Sequence, residues 1–139
     1  MMALAARLGA DPHWTITPLR NGTYEARAIL TAATDVTEPL NIYDLPINTI
    51  HIFGSFNSQN VSVLGFNADP NDATPTTGDA AVATGQVLHQ AHAPSSTFSA
   101  VAAELLAGVI ENPRYIIAKA NGAVTAVHII ALAYSQGGR

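Results

Sequence analysis

Residues 124–134, VTAVHIIALAY, constrain this chain more than any other stretch. Val, Thr, Ile and Tyr favour strand over helix, and no charged residue interrupts them. A strand with one face in water alternates apolar and polar positions, and this one does not. It is therefore buried on both faces or covered by a partner. Either way it needs neighbouring strands, so the rest of the chain must supply them.

Candidates are plentiful. Residues 14–17 (WTIT) are β-prone, and Asn21-Gly22 is a hairpin signal. In residues 23–30 the side chains of Tyr24, Ala26, Ala28 and Leu30 share one face, with Glu25 and Arg27 on the other. Residues 48–56 (NTIHIFGSF) and 61–66 (VSVLGF) flank NSQN and predict a hairpin. Residues 114–120 and 124–134 predict a second hairpin about Asn121-Gly122. Short strands are expected near 40–43, 86–90 and 95–98. Residues 99–110 (SAVAAELLAGVI) carry Ala and Leu behind a capping Ser99, and predict a short helix or helical turn.

Short strands with turns every 8–12 residues predict an all-β antiparallel sandwich, jelly-roll-like, with at most a short helical segment. The length of 139 residues fits one domain. Residues 14–139 are expected to form it, behind an N-terminal arm at 1–13. The expected core includes Ile50, Ile52, Phe53, Val63, Phe66, Ile116, Ile117, Ile129 and Leu132. Residues 67–85 make a polar loop too long for a simple connection.

Composition narrows the function. Charged residues are 12% of the chain, about half the usual share. A surface of small neutral polar groups repels neighbours weakly and suits assembly. The formal charge is −4 and no Lys/Arg run exists, which argues against nucleic acid as a partner. No apolar stretch approaches the roughly 20 residues of a membrane-spanning helix. Residues 1–10 lack the basic start and apolar centre of a signal peptide. With no Cys, thiolate metal sites and disulfides are excluded.

Chemistry-bearing constellations are few. His89 and His92 are three apart, but no third ligand lies near them in sequence. His51 and His128 fall inside predicted strands and read as packed residues. Were they to face each other across sheets or subunits, their protonation near pH 6 would weaken the packing. Asp69, Asp72 and Asp79 share the long loop without the EF-hand spacing, so turn geometry explains them better than calcium. Glu104 and Glu111 suggest no cleft. No nucleophile elbow or phosphate loop occurs, and neither catalysis nor a cofactor is expected. Trp14, Tyr24, Tyr43, Tyr115 and Tyr134 could make a sugar platform, but aromatic core filling explains them better.

Two stretches carry a resemblance. Residues 52–67 (IFGSFNSQNVSVLGFN) and 111–134 resemble the β-sandwich virion proteins that decorate or cement the capsids of tailed bacteriophages. The similar positions are Gly54, Ser55 and Phe56; Val61, Val63 and Gly65; and Pro113, Arg114, Tyr115 and Ile116. The resemblance implies a structural protein on the virion surface, seated on the major capsid protein. It also implies a homo-oligomer, a trimer ahead of a dimer. On that reading Leu4, Leu8, Trp14, Asp72 and Thr76 are the expected capsid or subunit contacts. The competing expectation is a carbohydrate- or receptor-binding sandwich module of a tail or fibre.

Overall fold

The computed structural model describes residues 14–32, 36–42, 47–67 and 86–134. They form strands and connections without a helix. The strands are β1 (Thr15–Pro18), β2 (Thr23–Thr31), β3 (Leu40–Asn41), β4 (Ile47–Ser55), β5 (Val61–Phe66), β6 (Gln86–Val87), β7 (His89–Gln90), β8 (Ala93–Thr97), β9 (Leu105–Gly108), β10 (Tyr115–Ala120) and β11 (Ala126–Tyr134). A five-stranded sheet has the order β1-β2-β11-β4-β9 and a four-stranded sheet the order β3-β10-β5-β6. β7 and β8 form a small ribbon. All described pairings are antiparallel, and the fold is a β-sandwich.

Period-two alternation builds the interior. From the five-stranded sheet, Ala26, Ala28, Leu30, Ile50, Ile52, Val127, Ile129 and Ala131 point inward. They meet Leu40, Val61, Val63, Ile116, Ala118 and Ala120 of the other sheet in one continuous core. Phe98, Val101 and Val124 fill the margins. The back of the four-stranded sheet holds a second cluster of Val36, Leu64 and Ile117, with Phe66 packed against it.

The hairpin at Asn21-Gly22 forms as the sequence predicts. Asn21 and Gly22 take φ of 60° and 72°, the left-handed pair that matches strand twist in a two-residue turn. The other two predicted hairpins are corrected. β4 and β5 lie in different sheets, and so do β10 and β11. β4 already has β11 and β9 as neighbours, and β5 has β10 and β6, so neither has a free edge for the other. Their connections arch across the sandwich instead. Sheets stack about 10 Å apart, a gap that four or five residues span.

Both arches lie at one end of the sandwich and are tied together. The Asn121 amide donates to the Asn60 carbonyl (3.0 Å), and the Asn60 amide donates to Asn121 Oδ1 (2.7 Å). Asn57 Nδ2 reaches the Ala123 carbonyl (3.1 Å). At the foot of the first arch, Gly54 has φ +141°, and its Cα lies close under the Ala126 carbonyl.

The predicted helix at 99–110 is also overturned. Val101 exchanges both backbone hydrogen bonds with Val61 (2.8 and 2.9 Å), and β9 pairs with β4 from Thr49 to Ile52. Ala100 takes a left-handed φ of 53°, which no α-helix contains. Pairing to an open sheet edge, together with burial of Phe98 and Val101, outweighs the helix propensity of Ala and Leu.

Candidate functional site

The long apolar strand is not buried on both faces. β11 is the middle strand of its sheet, and only one of its faces is buried. Val127, Ile129 and Ala131 are fully enclosed, while Leu132 is 36% exposed. The expected core residues Phe53 and Leu132 are corrected accordingly. Both lie on the outer face of the five-stranded sheet, Phe53 half-buried. Ile29 on β2 and Leu106 on β9 share that face, with exposures of 40% and 65%.

Register fixes the layout of this face. His128 is flanked by Ile29 on β2 and Phe53 on β4. Two residues on, Ile130 is flanked by Arg27 and His51, and His51 by Leu106 on β9. The next row is Glu25, Leu132 and Thr49.

A ladder of polar and aromatic side chains crosses the strands. Arg27 Nη2 donates to His128 Nδ1 at 2.8 Å, so that nitrogen carries a lone pair and the proton of the neutral ring sits on Nε2. The His128 ring stacks on Phe53, with centroids 5.0 Å apart and planes 6° from parallel. Phe53 in turn meets His51 at 4.7 Å. His51 Nε2 closes the ladder on Glu104 Oε2 at 2.7 Å. The two histidines thus share one face, with Phe53 between them, and do not oppose each other across the sheets. Arg27 Nε is buried without a hydrogen-bond partner.

Elsewhere the titratable groups do structural work. Glu111 clamps the start of β7: its Oε1 accepts the His89 amide (2.7 Å) and its Oε2 pairs with His89 Nδ1. Partial burial by itself pushes the Glu111 carboxyl up. The hydrogen bonds from the His89 backbone and ring outweigh it and hold the group below its ordinary value. His92 is exposed in the turn after β7 and does not join this pair. Among the described residues no three His, Asp or Glu side chains gather as a metal site would require.

Trp14 is buried at the edge of the core, and its indole N–H donates to the Glu38 carbonyl at 2.8 Å. Tyr115 is buried against Phe66, and the Arg114 guanidinium lies over its ring. Leu4, Leu8, Asp69, Asp72, Thr76, Asp79 and Tyr43 lie outside the described residues. No family model, no curated protein and no solved structure matches this chain.

Sequence reasoning found the histidines but not their setting. The signal was present in the alternation of β4, where His51 and Phe53 oppose Ile50 and Ile52. What it lacked was the neighbour order that brings Arg27 and His128, 101 residues apart, into contact.

Proposed function

We propose that this chain is a non-catalytic virion protein that decorates an assembled capsid of a tailed phage and stabilises it by bridging capsid subunits. The observation that carries this reading is the outer face of the five-stranded sheet. It offers Ile29, Leu106 and Leu132 to solvent on a chain with only 12% charged residues, which is the surface of a protein that works in an assembly. The resemblance at residues 52–67 and 111–134 supports the same reading. Its glycines and proline are framework positions: a Cβ at Gly65 would sit 2.6 Å from Pro113 Cγ, so the two stretches pack directly on each other. Many weak contacts repeated over a lattice give strong overall binding without one dominant residue.

A sugar-binding module is the weaker reading, because Trp14 and Tyr115 are enclosed and offer no platform. The test is co-sedimentation with DNA-free capsids of the phage that encodes the chain. Binding that saturates at a fixed ratio to capsid subunits, with a raised capsid melting temperature, is expected. A chain that remains in the supernatant at saturating concentration refutes the proposal.

A further inference from the structure

We propose that the outer face of the five-stranded sheet packs against the same face of a second copy, about a two-fold axis running along β11. This rests on the reading of the chain as an assembling protein, but not on the capsid being its target.

The face is self-complementary about its middle strand. β11 has β2 and β1 on one side and β4 and β9 on the other. A two-fold rotation about an axis along β11 lays β2 of one copy over β4 of the other. The register then decides what meets. Ile29 and Phe53 both pair with His128, so Ile29 comes to lie over Phe53 of the copy. Arg27 and His51 both pair with Ile130, so Arg27 comes over His51 of the copy. Glu104 is bonded to that same His51, and it presents a carboxylate to the incoming guanidinium. Each copy thus brings its cation to the other's anion, twice. Leu132 lies near the axis and meets itself. An axis across the strands through Ile130 would instead set Arg27 on Arg27, a like-charge contact.

Stacked sheets keep their strands within about 30° of each other, so the apolar rows remain in contact along the face. The contact is modest. β2, β4 and β11 have nine residues each and β1 and β9 only four, so at about 4.8 Å between strands and about 3.4 Å per residue the footprint is roughly 600 Å². Specific interfaces average about 800 Å² per partner. A weak, concentration-dependent dimer is expected, with a dissociation constant in the micromolar range or above.

Sedimentation equilibrium of the full chain tests this from roughly 1 µM to roughly 500 µM. The mass is expected to rise from 14.5 kDa toward twice that value. Leu132→Glu is expected to hold it at 14.5 kDa, and Glu104→Arg to weaken association about tenfold or more. Ile16→Glu, exposed on β1 but alternating away from that face with its partner Ala26, is expected to change nothing.

A second arm does not depend on those variants folding. The chain has no Cys, so single introduced thiols report cleanly. A bismaleimide spanning about 10 Å is expected to capture Leu132→Cys as a dimer and to leave Leu106→Cys monomeric, because sheets stack at that distance. A wild-type mass that stays at 14.5 kDa throughout overturns the proposal, as does cross-linking that favours position 106. If Leu132→Glu abolishes capsid binding while the wild type never self-associates, the face belongs to the capsid protein and the second-copy assignment fails. Self-association without capsid binding would uphold this inference and refute the decoration reading.

Discussion

Replacing Gly54 with alanine should cost this fold more than its single added methyl suggests. Gly54 is in β4 opposite Val127, with φ +141°, a backbone region that side chains rarely enter. An added Cβ would lie 2.2 Å from the Ala126 carbonyl oxygen and 3.0 Å from Val127 Cα. Both obstacles are backbone, so no rotamer change relieves them. The chain must either hold the strained φ, at about 1–3 kcal/mol, or open the β4–β11 ladder at the end where it meets the arch. With the clash added, a loss of about 3–5 kcal/mol is expected, in the range of the large single-site effects. For a domain of this size that lowers Tm by about 10 °C or more.

Gly108→Ala is the matched control. There the Cβ meets Ala91 Cβ at 3.2 Å and the Asn48 carbonyl at 3.6 Å, and a shift of a few tenths of an ångström makes room. Reduced freedom of the unfolded chain offsets part of that strain by about 0.4–1 kcal/mol. Differential scanning calorimetry on both variants is decisive. If Gly54→Ala melts within 2–3 °C of Gly108→Ala, roughly the effect of 1 kcal/mol, the account of the arch foot is wrong.

Ile129→Ala empties a fully enclosed site in the middle strand, and urea unfolding should register a loss of about 2–5 kcal/mol. Trp14→Phe leaves the Glu38 carbonyl without the indole donor and should cost about 1 kcal/mol by the same measurement, in addition to the smaller ring's lost packing. Glu111→Gln tests the β7 clamp through pH. A carboxyl held below its unfolded value of about 4.5 contributes stability that is complete above that pH and is lost as pH falls through the lower folded value. The variant should therefore melt lower than wild type at pH 7, and the gap should close on acidification below pH 4.5; a gap that stays constant to pH 3 contradicts the clamp.

The alternation of residues 23–30 and 48–53 was legible because period two is a local property. Ala26, Ala28, Leu30, Ile50 and Ile52 are buried as read. Strand neighbours were not legible, because turn residues report local φ and not the plane in which the chain turns. The same dipeptide shows it twice. Asn21-Gly22 adopts positive φ and closes a hairpin, whereas Asn121-Gly122 adopts none and spends its amide and side chain on Asn60. The helix at 99–110 was misread for a related reason, since propensity does not register an open edge waiting on β4. The outer face of β11 was half legible. Its apolarity demanded cover, and only the sheet order revealed that the monomer covers one side.

That sheet order also dictates a sequence of events during synthesis. β11 is the last described strand to leave the ribosome, yet it stands between β2 and β4. Until it arrives, each of those nine-residue strands presents an open edge where β11 will later lie. Open edges of that length are templates for pairing with other chains. The growing polypeptide therefore carries its greatest risk of misassembly just before β11 emerges, and a product truncated ahead of residue 126 would keep that risk permanently. A late keystone of this kind makes folding slow and nearly all-or-none.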